Sequence, residues 1–241
     1  MQLQIFSDYK TLSLHAAQHI LALLNRKPAA TICVASGDTP TGVYRELVQL
    51  VKEGAVDVTR CTFVGLDEWV GLGPENRGSC AHYLHRELFD PLGIGPDQFR
   101  LFDALAPDLT VECERMNTFV AQQGGFDLML VGVGLNGHIA LNEPGTPFNT
   151  YAHVSELAET TKTVGQKYFS GPTVLTQGVT LGLQHLLDAK EAFLLASGSS
   201  KAPVIKTALE GPVTEDVPAS LIQNHPNGLV WLDEPAAAEL A

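Results

Sequence analysis

The sequence predicts an α/β fold: one doubly wound, mostly parallel sheet in a three-layer α/β/α sandwich, formed as a single domain over residues 1–241. Three observations carry that expectation. Runs at 31–35, 61–66, 126–133 and 191–196 have strand length and are apolar almost throughout, as in strands covered on both faces. Between them lie stretches whose apolar residues recur at helical spacing. Glycine-rich or polar turns follow the runs, and no internal repeat, low-complexity linker or block of like charge divides the chain.

In order, residues 3–6 read as a first strand, and 11–25 as a helix carrying Leu12, Ala16, Ile20, Leu23 and Leu24 on one face. The strand at 31–35 runs into SGDTPTGVYREL. Here Gly37 loosens the turn, Thr39 is placed to cap, and Pro40 suits a first helical position, where its missing N–H costs nothing. The helix continues through Tyr44, Leu47 and Val51. A turn that opens a helix directly after a strand offers free N–H groups and the helix dipole to an anion, although many such turns bind nothing.

The strand at 61–66 ends in Asp67, Glu68 and Trp69. Adjacent side chains of an extended chain point opposite ways, so at most one of these carboxylates faces a shared pocket. The other reading is a capping or turn aspartate. Residues 76–90 and 109–123 read as helices, the second with Val111, Met116, Phe119 and Val120.

The strand at 126–133 leads into the densest polar cluster of the chain: Asn136, His138, Asn142 and Glu143, set among Gly132, Gly134 and Gly137 and closed by Pro144-Gly145. Open α/β sheets hold ligands at the carboxyl ends of such strands, so this loop points to chemistry. Its spacing leaves open that the histidine and glutamate merely tie the loop down. Residues 148–172 are rich in threonine, glycine and polar groups and suggest a mobile flap, with Lys162 and Lys167 its basic groups beside His153.

A short apolar helix is expected at 180–187 and a buried strand at 191–196. Then comes SGSSKAPVIKTAL, where Ser199 or Ser200 can cap a helix with Lys201 in its first turn. A lysine there opposes the helix dipole unless an anion lies between them; a solvated lysine is the plain alternative. Residues 228–232 close the sheet, and Asp233-Glu234-Pro235 begins a short terminal helix.

With 15 basic and 27 acidic residues, the formal charge of −12 argues against nucleic acid or an anionic membrane as partner, while allowing a locally positive pocket. Cys33, Cys61, Cys80 and Cys113 contain no CxxC pair and read as reduced thiols of a cytoplasmic protein without a metal site. The N-terminus lacks the basic start and apolar core of an export signal, and no run is long enough to span a bilayer.

The pieces SGDTPTGVYREL, VGLDEWVGL, GVGLNGHIALNEPG, TLGLQHLLDA, SGSSKA and HPNGLVWLDEP stand in one order along nearly the whole chain. In that order they resemble the glucosamine/galactosamine-6-phosphate isomerase family, a Rossmann-like group, and within it the deaminases. The related 6-phosphogluconolactonases typically follow the glycine-histidine turn with serine-leucine-phenylalanine-proline, where this chain has Leu141-Asn142-Glu143-Pro144. The resemblance implies conversion of glucosamine 6-phosphate and water to fructose 6-phosphate and ammonia. Alternatives are the galactosamine epimer giving tagatose 6-phosphate, hydrolysis of a sugar-phosphate lactone, and a non-catalytic sugar-phosphate sensor.

Carried over by position, Asp67 matches the family's base, and His138 the residue that assists ring opening, with Glu143 as its partner. Ser36, Gly37, Asp38, Thr39 and Lys201 fall in the phosphate loops, and Lys167 stands where many relatives have a flap arginine. That change keeps the charge and loses bidentate geometry. Asn136 replaces an aspartate of many relatives; its carbonyl can orient the imidazole but cannot stabilise an imidazolium as a carboxylate would, which leaves that task to Glu143. The implied partner is a small-molecule hexosamine 6-phosphate, with no metal or redox cofactor, and a homo-oligomer is compatible with the resemblance.

Overall fold

The computed structural model describes residues 1–241. Alternate residues of its strands enter different cores. Ile32 and Val34 join Phe63, Leu128, Leu130, Phe193 and Leu195 on one face of the main sheet, while Cys33 joins Val64, Met129, Val131 and Leu194 on the other. Both faces are apolar because both are covered by helices, the condition under which a parallel sheet is stable.

The elements follow as β1 (Gln2–Phe6), α1 (Tyr9–Arg26), β2 (Thr31–Val34), α2 (Asp38–Lys52), β3 (Thr62–Gly65), β4 (Asp67–Trp69), α3 (Cys80–Leu84), α4 (Asp90–Leu92), β5 (Phe99–Arg100), α5 (Leu109–Gln122) and β6 (Leu128–Val131). The chain continues through β7 (His153–Glu156), α6 (Glu159–Gly165), β8 (Gln177–Thr180), α7 (Leu183–Asp188), β9 (Ala192–Ala196), α8 (Ala202–Glu210), β10 (Gly228–Asp233) and α9 (Glu234–Ala237). Seven strands form the main sheet in the order β1-β10-β9-β6-β2-β3-β5, with every pairing parallel. From β2 the chain steps outward through β3 to β5, returns to β6 beside β2, and then steps the other way through β9 to β10. The crevice at the carboxyl ends of β2 and β6 is therefore the topological switch point of a doubly wound sheet, where such folds bind ligands.

Several boundaries differ from the sequence reading, each for a physical reason. A second, antiparallel sheet of order β4-β8-β7 has no counterpart in it. Its strands are only three or four residues long, too short for periodicity to declare. Thr180, expected to start a helix, ends β8, and the helix begins at Leu183. Residues 148–172, expected as a mobile flap, carry β7, α6 and a 3-10 turn at Gln166–Tyr168. The helix expected over 76–90 starts at Cys80, capped by the Ser79 hydroxyl accepting from His82 N–H at 3.0 Å, and loosens into a π-turn at His85–Phe89.

Neither proposed cap forms as expected. α2 begins at Asp38 behind Gly37, which takes φ +114° and lends no side-chain cap, so Pro40 lies within the first turn rather than at its start. Gly198, at φ +89°, precedes a 3-10 turn at Ser199–Lys201, again without a side-chain cap. At both ends a glycine makes the sharp turn that a side chain would strain. The four cysteines are free and buried, and no helix is long and apolar enough to cross a membrane.

Candidate active site

A cavity of about 310 Å³ opens at the switch point, lined from the ends of β2, β3, β6 and β9 and by the α6 segment. Of the residues singled out in the sequence, Ser36, Gly37, Asp38, Thr39, Asp67, His138, Lys167 and Lys201 all line it. Asn136 and Glu143 do not. They stand behind His138.

Asp67 and Glu68 divide along the extended chain as the alternation requires. Asp67 faces the cavity at the start of β4. Glu68 turns inward, is 2% exposed, and accepts from the backbone N–H groups of Trp69 and Cys80 at 2.9 Å and of Ala81 at 2.8 Å. The capping reading thus belongs to Glu68, which receives the N–H groups at the start of α3, and the pocket reading belongs to Asp67. Burial pushes Asp67 up to about 6, against smaller opposing pulls from Cys80 and His138. Burial likewise raises Glu68 to about 7, held back by its three backbone donors and pushed further by the charge of Asp67.

The His138 loop folds back on itself, with Gly134 N–H donating to the His138 carbonyl at 2.9 Å. A methyl group at position 134 would sit 2.3 Å from both Cε1 and Nε2 of the imidazole, so Gly134 is required for the ring to lie where it does. His138 Nδ1 is 3.5 Å from Glu143 Oε2 and 3.1 Å from the Thr161 hydroxyl. Glu143 also accepts from Asn136 Nδ2 at 2.8 Å and from the backbone N–H of Ala158, just before α6, at 3.2 Å. Burial alone would raise its pKa, but the contacts with His138, Thr161 and Asn136 prevail and hold it at about 2. The Asn136 carbonyl does not orient the imidazole as expected. It accepts the backbone N–H of His138 at 3.3 Å, and its amide braces Glu143 instead.

Two ammonium groups line the same cavity. Lys201 Nζ donates to the Val133 carbonyl at 2.6 Å; its pKa is lowered by burial and by the charge of Lys167, with Asp38 pulling the other way. Lys167 Nζ contacts Asp38 Oδ2 at 2.5 Å and lies 5.0 Å from the centre of the Tyr168 ring. Together with the backbone N–H groups at the start of α2, these cations make a site for a multiply charged anion. Sequence reasoning missed Trp69, Cys80, Thr161 and Tyr168, which also line the cavity. Only the proximity of Trp69 to Asp67 gave any signal; Thr161 and Tyr168 belong to the segment expected as a mobile flap. No cluster of potential metal ligands is present.

The family model described as glucosamine-6-phosphate isomerases/6-phosphogluconolactonase matches residues 8–231. The chain belongs to this family. Among its relatives it is 39% identical to the glucosamine-6-phosphate deaminase of Shouchella clausii, covering 96% of this chain and 94% of that one. It is also 39% identical to the glucosamine-6-phosphate deaminase of Bacillus velezensis, covering 95% of each chain. A solved structure described as a monomeric glucosamine-6-phosphate deaminase superposes with a TM-score of 0.96 at 35% identity, covering 99% of this chain and 100% of the other. The 6-phosphogluconolactonase of Trypanosoma brucei shares the fold, with a TM-score of 0.76 at 19% identity over 100% of this chain and 98% of that one.

Proposed function

We propose that this chain is a glucosamine-6-phosphate deaminase, working as one domain that takes a hexosamine 6-phosphate and releases fructose 6-phosphate and ammonia. The observation that carries this reading is a single cavity shared by Asp67, a carboxyl raised to about 6, by the His138 imidazole, and by the Lys167 and Lys201 ammonium groups. A base that titrates near neutrality, a proton shuttle and an anion anchor are the three devices the reaction needs.

The phosphate is held by Lys201, Lys167 and the turn of Ser36, Gly37 and Thr39, so that binding energy spent at one end of the sugar positions C1 and C2 at the other. His138 takes the proton of the C1 hydroxyl and returns it to the ring oxygen, opening the ring to an aldehyde that makes the C2 proton acidic. Asp67 removes that proton, leaving an enolamine, and delivers it to C1 to give the 2-imine. Water adds to C2 and ammonia departs, leaving the ketone. The carbonyl formed on ring opening is the electron sink, so no step calls for a metal or redox cofactor. Glu143, ionised and braced by Asn136, supports positive charge on the imidazole while it carries the proton.

The four reduced, buried thiols suit a cytoplasmic enzyme. Leu141-Asn142-Glu143-Pro144 after the glycine-histidine turn favours deamination over lactone hydrolysis, because it supplies Glu143 behind the imidazole. The test is release of ammonia and fructose 6-phosphate from glucosamine 6-phosphate, with galactosamine 6-phosphate and 6-phosphogluconolactone assayed in parallel. Lactone hydrolysis without ammonia release, or binding without turnover, would overturn the assignment.

A further inference from the structure

The Thr161 hydroxyl sits where no motif of the sequence directs attention. It projects from the first turn of α6, is only 4% exposed, and lies 3.1 Å from His138 Nδ1. It also helps to hold the neighbouring Glu143 carboxyl low. A hydroxyl has one proton to give and two lone pairs with which to accept. Ionised Glu143 can only accept, and its Oε2 stands 3.5 Å from the same Nδ1, so its charge favours a proton on that nitrogen rather than a lone pair. The hydroxyl meets His138 as an acceptor, with the proton of the neutral ring on Nδ1. The Nε2 lone pair is then free.

We infer that Thr161 is a positioning residue of the deaminase reaction: its hydroxyl, accepting from His138 Nδ1 on the edge of the ring that faces Glu143, selects the imidazole tautomer whose Nε2 is ready to take the proton of the sugar's C1 hydroxyl. The arrangement rests on the deaminase reading for its chemistry and on the two oxygens facing Nδ1, the Thr161 hydroxyl at 3.1 Å and Glu143 at 3.5 Å, for its geometry. It also links the imidazole to the α6 segment twice over. Glu143 accepts the Ala158 N–H immediately before α6, and Thr161 reaches the ring one turn later. The direct contact between Nδ1 and Glu143, at 3.5 Å, is too long to impose the tautomer by itself.

The test compares Thr161→Val, which keeps the shape and deletes the hydroxyl, with Thr161→Ser, which keeps the hydroxyl and deletes a methyl group. Thermal unfolding confirms that both variants are folded. In Thr161→Val kcat should fall roughly tenfold with KM changed less than about twofold, since one buried hydrogen bond is lost and the phosphate anchor is not. Thr161→Ser should restore most of kcat. Heteronuclear NMR of the imidazole nitrogens, with the His138 signal identified by its loss in His138→Gln, should show the Nδ1–H tautomer in the parent and in Thr161→Ser and a mixture in Thr161→Val. Unchanged turnover in Thr161→Val, a loss that Thr161→Ser shares, or an unaltered tautomer overturns the inference. The NMR readout needs no substrate. Failure of the parent to release ammonia would therefore strike the deaminase reading alone, leaving the tautomer result to judge Thr161.

Discussion

Asp67 and Glu143 are both carboxyl groups drawn out of water beside the same imidazole, yet their proton affinities move in opposite directions. Burial raises Asp67 to about 6 because few donors face it. Burial pushes on Glu143 in the same sense, but His138, Thr161 and Asn136 outweigh it and hold the group at about 2. The difference separates a base from an anchor: a carboxylate short of partners can take a carbon-bound proton and give it back, whereas one surrounded by donors stays an anion throughout.

The largest effect expected from this contrast is at Asp67. Asp67→Asn should lower turnover by roughly a thousandfold, within the range attributed to a positioned general base, while making the protein more stable. A carboxyl whose folded pKa lies above its unfolded value near 3.8 costs stability when ionised, so the cost is full above about pH 6 and gone below the unfolded pKa. At pH 7 the asparagine should recover roughly 1–3 kcal/mol. Ammonia release and urea unfolding measure the two halves, and an inactive variant that is also less stable would break the contrast.

Glu143→Gln should cut turnover by roughly a hundredfold and shift stability the opposite way. Its folded pKa is depressed, so its contribution is present above the unfolded value of about 4.5 and is lost as pH falls toward about 2. Unfolding at pH 7 should therefore show a loss of roughly 1–3 kcal/mol. A gain in stability would mean that the desolvation cost had prevailed after all.

Smaller effects belong to the anion end. Lys201→Ala should lower kcat/KM by roughly 10- to 100-fold, mostly through KM, as expected on losing a charged hydrogen-bond donor. In the parent enzyme kcat/KM should fall as pH drops below about 6, by roughly tenfold per unit, because Asp67 must be ionised to act. A profile flat down to pH 5 would remove Asp67 from the base role. The smallest change is expected for Asp38→Asn, which frees Lys167 from an exposed ion pair and should tighten binding of inorganic phosphate by only a few-fold, measurable by calorimetry.

How far the sequence could be read depended on the range of the interactions involved. The strands β2, β6 and β9 are buried along their whole length, and the resulting apolar runs announced them. The placement of Asp67 and His138 at strand ends followed from the same pattern. β4, β7 and β8 escaped because a three- or four-residue antiparallel strand with mixed burial has no period to detect. Thr161 escaped for a related reason: one hydroxyl in a threonine-rich stretch differs from its neighbours only in what it meets across the fold. Asn136, standing where many relatives have an aspartate, was expected through the resemblance to be able to orient the imidazole by its carbonyl, but its amide found Glu143.

The amino-acid sequence by itself determined the layered α/β architecture, the strand ends from which the chemistry-bearing side chains project, and the residue types able to move a proton or hold an anion. Those properties are local, written in burial periodicity and turn composition. Tertiary structure alone decided that Glu68 caps α3, that the Asn136 amide braces Glu143, and that Lys167 reaches across to Asp38. Each of those outcomes depends on which groups are desolvated together, and residues far apart in the chain acquire a common environment only when the sheet brings their loops to one crevice.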